Sequence, residues 1–232
     1  VTIRTLIALA VDYGFIIHQM DVKTAFLNAP LEEDIYITVP KGLEQYFNGY
    51  THGKLNRAVY GLKQASRAWY QMLDHQLCTE MKFTRCLKDR CVYFLNNGRD
   101  AIWIAVYVDD LLMFASNSLI LDQTKALLQQ KFTMTDLGEI ETYLGMEFAR
   151  NGDTMTIKQT KYIDDILATF HMTDAKPAPM PLSPGICLDK GSTDIDPSIP
   201  YRELLGKLIY LMTHTRPDIA TAVSMLGSFA SC

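Results

Sequence analysis

Three aspartates stand where a carboxylate is hard to explain as ordinary surface. Asp109 and Asp110 interrupt a run of β-branched, aromatic and other apolar residues, Trp103-Ile-Ala-Val-Tyr-Val-Asp-Asp-Leu-Leu-Met-Phe114, so two charges fall between stretches that read as buried strands. A tight turn is the plain structural reading, since Asp tolerates unusual backbone angles, but Asp-Asp is less favoured there than Asn-Gly or Asp-Gly. Asp21 ends a third β-forming run, Ile16-Ile-His-Gln-Met-Asp21. The chain carries its own comparison in Asp164-Asp165, which lies opposite a helical face made by Tyr162, Ile163, Ile166 and Phe170 and reads as solvated surface. Carboxylates on rigid strands are natural ligands for Mg²⁺, a hard cation usually held by one or two carboxylates plus substrate phosphates. Two such ions about 4 Å apart are what an in-line displacement at phosphorus uses. The expectation is that Asp109 and Asp110 sit on a hairpin turn, with Asp21 on the adjacent strand and all three carboxylates converging.

The elements that must position them follow from periodicity. Residues 2–13 place Ile3, Leu6, Ile7, Ala10 and Val11 at helical spacing before Gly14 as a stop. Residues 15–22 and 35–39 read as strands, and 65–81 as one long amphipathic helix with Ala65, Ala68, Trp69, Met72, Leu73 and Leu77 on its apolar side. Residues 91–95, 101–108 and 111–115 form a predicted meander, with Asn96-Asn97-Gly98-Arg99 as its first turn and Asp109-Asp110 as its second. A helix is expected over 119–132, strands over 142–148 and 155–158, and a helix over 162–170. Four prolines between Lys176 and Gly185 forbid its continuation, and helices resume at 201–212 and 216–229, the latter with Pro217 at its start.

The 232 residues, 48% hydrophobic, suffice for a real core, and the longest apolar runs fall short of the ~20 residues that a membrane helix requires. No membrane association is expected. The first residues lack Met and a signal-peptide pattern, so the chain reads as the middle of a longer one. Five cysteines, Cys78, Cys86, Cys91, Cys187 and Cys232, have no C-x-x-C spacing, which points to reduced thiols and away from disulfides or zinc. A net charge of −4 means that any affinity for polyphosphate must be local or completed elsewhere.

Three blocks resemble motifs A, B and C of copia-type retrotransposon reverse transcriptases, in that order: Gln19-Met-Asp-Val-Lys-Thr-Ala-Phe-Leu-Asn28, Val59-Tyr-Gly-Leu-Lys-Gln-Ala-Ser-Arg-Ala-Trp-Tyr70 and Tyr107-Val-Asp-Asp-Leu111. Residues 137–148 resemble the approach to the primer grip, and Thr215-Arg-Pro-Asp-Ile-Ala220 a run beyond the thumb. The resemblance implies an α+β fold: a polymerase palm with an antiparallel sheet flanked by helices over 1–148, a thumb-like segment and Pro-rich linker over 149–186, and a helical connection-like segment over 187–232. The fingers are largely absent. It implies an RNA-directed DNA polymerase working by two-metal nucleotidyl transfer, with two Mg²⁺ ions, or Mn²⁺, as cofactors. Asp21, Asp109 and Asp110 would be catalytic, Asp21 and Asp109 binding both metals, Asp110 at the edge and the Val22 carbonyl a further ligand. Phe26 would be the steric gate against the nucleotide's 2′-hydroxyl, with a plain core aromatic as the alternative. Lys63, Gln64 and Arg67 would contact the nucleotide, although a solvated basic helix start fits the two cations equally well. Gly145 and Met146 would lie in the primer grip, or mark a bulged strand. Partners would be an RNA or DNA template, a DNA or RNA primer, deoxynucleoside triphosphates, and the integrase and RNase H parts of a Pol polyprotein, in cytoplasmic virus-like particles or the nucleus. Without the basic fingers, residues 1–232 alone are expected to be inactive, and an inert remnant that still binds nucleic acid is the rival reading. A nucleotide cyclase would share the aspartates but not the second motif.

Overall fold

The computed structural model describes residues 2–183, 185–186 and 200–230. The readings of Cys187 and Cys232, and part of the 187–232 segment, lie outside them. The chain divides into two compact units, Val1–Ile140 and Glu141–Cys232, and the sheets of both are antiparallel, in a mixture of helix and strand. Among the described residues no helix is long and apolar enough to cross a membrane.

In the first unit, α1 (Thr2–Asp12) buries Ile7 and Ala10 and stops at Gly14, whose φ of +68° suits the left-handed cap that only glycine adopts cheaply. Strand β1 (Ile16–Val22) follows, then the single turn α2 (Ala25–Asn28) and a small hairpin of β2 (Tyr36–Thr38) with β3 (His52–Lys54). Helix α3 (Ala65–His75) buries Ala65, Trp69 and Leu73, and then loosens into a π-helical turn, Gln76–Glu80, before the end at Met81 that periodicity predicts. Strands β4 (Thr84–Arg85), β5 (Val92–Asn96), β6 (Ala101–Tyr107) and β7 (Asp110–Ala115) form the expected meander. Helix α4 (Ser118–Lys131) is capped by the Asn117 side chain, which accepts from the Ile120 N–H at 3.1 Å.

Strand β8 (Met134–Glu139) completes a six-stranded sheet in the order β4-β5-β6-β7-β1-β8. No apolar alternation announces β8. An ion pair holds it: Lys125, 7% exposed on α4, donates to both carboxylate oxygens of Asp136 at 2.8 Å, with His18 Nδ1 at 2.7 Å from the same ammonium. The main core lies between one face of this sheet and α2, α3 and α4, where Met20, Val22, Phe26, Trp69, Leu73, Ile104, Leu111, Met113 and Leu128 are buried.

The second unit carries a three-stranded sheet of β9 (Thr142–Tyr143), β10 (Met146–Asn151) and β11 (Thr154–Lys158), then α5 (Thr160–Thr169), α6 (Tyr201–His214) and α7 (Ala220–Gly227). Pro217 opens a short 3₁₀ turn before α7, as its missing donor favours. The described part of the Pro-rich segment forms neither helix nor strand.

Candidate active site

Strand pairing brings the three aspartates together. Asp21, the sixth residue of β1, stands directly opposite Asp110, the first of β7, and residues so opposed have Cβ atoms about 5 Å apart on one face. In the β6–β7 hairpin Tyr107 pairs with Asp110, so the turn consists of Val108 and Asp109. Asp110 therefore opens the strand and is not part of the turn, a correction to the expectation from sequence. The Asp109 carbonyl accepts from the Val22 N–H at 2.8 Å, which ties the turn to the end of β1.

The turn is strained and supported. Val108 has φ +57°, a conformation that a β-branched residue adopts at a cost of about 1–3 kcal/mol unless its surroundings impose it. Here the buried Trp69 donates its Nε1–H to the Val108 carbonyl at 2.6 Å. An indole buried in a core needs such a partner, and this one fixes the peptide next to Asp109.

Charge is concentrated at this point. Burial lifts the Asp110 carboxyl above its ordinary range, the charges of Asp109 and Asp21 add to that, and a hydrogen bond from Gln19 Nε2 at 2.9 Å opposes it. The Tyr60 hydroxyl, 3.4 Å from Asp109 Oδ2, is likewise raised by burial, then by Asp109 and Asp21. Among the described residues no group of three or more His, Cys, Asp and Glu side chains is arranged to hold a metal ion. With Asp110 turned to Gln19, Asp21 and Asp109 are the two carboxylates left for a cation. That donor set of hard oxygens fits Mg²⁺, which leaves its other positions to water and substrate phosphate, and a cation there would relieve the repulsion among the three charges.

The other residues anticipated from sequence fall in several places. Val22 is buried beside Asp21. Phe26, on α2, is only 7% exposed and belongs to the core, with its ring centroid 4.4 Å from that of Tyr60. Lys63 precedes α3 and is exposed, while Gln64 and Arg67 line a groove of about 510 Å³ with Glu32, Glu33, Gln71 and His75. In the second unit Gly145, at φ +71°, forms with Leu144 the two-residue turn between β9 and β10. A Cβ at Gly145 would lie 3.0 Å from the Tyr210 hydroxyl, which donates to the Leu144 carbonyl. Met146 is buried at the start of β10.

Reading the sequence missed the roles of Gln19, Tyr60 and Trp69. Gln19 and Tyr60 stood inside motif blocks without an assignment, and the helical periodicity that made Trp69 a core residue says nothing of its indole N–H. Gly61 was a usable signal: at φ +97° it builds the turn that presents Tyr60.

Residues 1–184 match the family model described as reverse transcriptase (RNA-dependent DNA polymerase). The chain is 36% identical over 98% of its length to the retrovirus-related Pol polyprotein from transposon TNT 1-94 of Nicotiana tabacum. It is 38% identical over 98% to the corresponding polyprotein from transposon RE1 of Arabidopsis thaliana. A putative transposon Ty5-1 protein of Saccharomyces cerevisiae is 33% identical over 90% of the chain, which covers 68% of that protein. The chain spans 18% and 16% of the lengths of the tobacco and Arabidopsis polyproteins. With the motif order, the family match and these relatives together, the chain belongs to the reverse transcriptases of copia-type retrotransposons.

Proposed function

We propose that this segment carries the nucleotidyl-transfer site of an RNA-directed DNA polymerase, with its first unit acting as the palm and its second contributing the primer grip and thumb. The observation that carries the reading is the register that sets Asp21 opposite Asp110 with Asp109 in the adjoining turn. Asp21 and Asp109, aided by the Val22 carbonyl, hold two Mg²⁺ ions or Mn²⁺, and Asp110 completes the acidic edge. Bound there, the ions neutralise the charge that develops on the attacking and leaving oxygens. The primer's 3′-oxygen forms a bond to the α-phosphorus of a deoxynucleoside triphosphate, the bond to the bridging oxygen breaks, pyrophosphate leaves, and the hydroxyl proton passes to solvent.

What the protein contributes is position. The sheet fixes Asp21, and the Trp69 and Val22 hydrogen bonds fix Asp109, so little reorganisation remains at the moment of reaction. Phe26, Lys63, Gln64 and Arg67 bound the nucleotide's place, the two cations through its phosphates, and the Leu144–Gly145 turn with Met146 beneath it holds the primer end. An RNA or DNA template, a primer and other parts of a Pol polyprotein are the partners.

The test is Mg²⁺-dependent primer extension by the longest natural polypeptide that contains residues 1–232. Asp109→Asn lowers extension by at least about a hundredfold while circular dichroism and the melting temperature hold. Equal extension by a folded Asp109→Asn chain refutes the assignment. A folded wild type without Mg²⁺-dependent extension supports the inert remnant in its place.

A further inference from the structure

The aromatic ring that stands free beside the carboxylates is that of Tyr60, not Phe26. Phe26 is 7% exposed and Tyr60 is 58% exposed, and the two rings meet at 4.4 Å between centroids with 53° between their planes. On its other side Phe26 borders an apolar hollow of about 160 Å³ shared with Trp69, Leu73, Val106 and Val108. Phe26 is thus held between Tyr60 and the interior. Its bulk reaches the site only through the ring that it supports.

Tyr60 is presented by a defined piece of backbone. The Leu62 N–H donates to the Val59 carbonyl at 3.3 Å, which closes a turn with Tyr60 and Gly61 at its centre. Gly61 has φ +97° there, the angle that reserves the third position of such a turn for glycine. The Tyr60 hydroxyl points to Asp109 Oδ2 at 3.4 Å. One side chain therefore touches the buried aromatic behind it and the carboxylate in front, and leaves most of its surface to whatever occupies the site.

We infer that Tyr60 is the residue against which the sugar of the incoming nucleotide packs, that its ring provides the bulk excluding a 2′-hydroxyl, and that Phe26 is a positioning residue acting through it. This rests on the polymerase reading above. A rigid ring rejects an added hydroxyl when it cannot retreat, and Phe26 at its back blocks retreat. The hydroxyl contact with Asp109 has a separate use, to restrain the carboxylate's orientation.

The experiment compares kcat/KM for dTTP and UTP on a primed template in the wild-type polypeptide and in Tyr60→Ala, Tyr60→Phe, Phe26→Leu and Phe26→Leu/Tyr60→Ala, each checked by melting temperature. Tyr60→Ala raises the UTP:dTTP ratio by at least about tenfold. Tyr60→Phe leaves that ratio within about twofold and lowers kcat for both nucleotides alike, because it keeps the ring and loses only the Asp109 contact. Phe26→Leu gives a smaller rise, and the double variant rises no further than Tyr60→Ala, since the two act in series. Tyr60→Val replaces Tyr60→Ala if the latter fails to fold. An unchanged ratio in a folded Tyr60→Ala, or Tyr60→Val, chain overturns the inference, as does a Phe26→Leu effect that persists in full without Tyr60. Either result leaves the polymerase reading standing, provided that Asp109→Asn abolishes dTTP incorporation. If wild type and Asp109→Asn incorporate neither nucleotide, that reading fails and the inference fails with it.

Discussion

The chain contains two Asp-Asp pairs, and the fold treats them in opposite ways. Asp164-Asp165 lies on α5 with both side chains exposed, while Ile166 beside them is buried. Asp109-Asp110 lies where a strained valine turn meets the middle of a six-stranded sheet, half-buried, with Asp21 opposite and hydrogen bonds from Gln19 and Tyr60. The same dipeptide is solvated surface in one place and a charged concentration held against its own repulsion in the other. The difference lies in what surrounds the carboxylates: a helix face lets charge relax into water, whereas paired strands fix its separation.

Three changes test that contrast. The largest effect is on turnover. Asp164→Asn and Asp165→Asn leave primer extension within about twofold, where Asp109→Asn costs a hundredfold or more. Comparable losses from both regions would mean that the helix pair also touches nucleic acid. An intermediate effect comes from the support of the turn. Trp69→Phe keeps an aromatic in the core but strips the Val108 carbonyl of its donor, which destabilises the fold by about 1–3 kcal/mol and slows extension less than loss of Asp109 does. Thermal melting and kcat measured together show whether the strain at Val108 depends on that hydrogen bond, and an unchanged melting temperature would say that it does not.

The smallest effect is electrostatic. Burial and two neighbouring carboxylates raise Asp110 in the folded chain above its unfolded value, so ionised Asp110 opposes folding at neutral pH. That penalty is present above the folded pKa and vanishes as pH falls through it to the unfolded value near 3.9, where both states are protonated. In chelator, Asp110→Asn therefore melts higher than wild type at pH 7, with the gap closing towards pH 4, while Asp165→Asn shows no such gap. Added Mg²⁺ narrows the difference from the other side by stabilising the wild type. An Asp110→Asn chain that melts lower at neutral pH would show that the Gln19 hydrogen bond outweighs the repulsion.

Much of this arrangement was legible in the residues. The limits of α1, β1, β5, β6, β7, α4 and α5 follow from apolar spacing, because each buries one face, and the position of Asp21 at a strand end follows with them. Strand β8 was not legible. Its order comes from backbone pairing with β1 and from the buried Lys125–Asp136 pair, neither of which leaves an alternating pattern. Helix α3 gave way to a π turn after His75 although apolar residues continue at helical spacing to Leu77, since periodicity records which face is buried and not how tightly the chain is wound. Tyr60 was hidden for a related reason: a half-exposed ring at a turn has no period, and only the glycine beside it marks the place.

Strand β1 is the first strand of its sheet to be made and the last to find neighbours, since β7 and β8 lie about ninety and more residues further along the chain. As the polypeptide emerges during synthesis, both edges of Ile16–Val22 stay open until the meander is complete, a pairing of high sequence separation that folds slowly and risks wrong partners. The polar residues His18, Gln19 and Asp21, which serve the finished sheet, also make the waiting strand a poor template for aggregation. Metal affinity then arrives with the closing of the sheet and not before it, so a chain interrupted short of Ala115 holds Asp21 without the opposing strand and cannot assemble even a partial clamp.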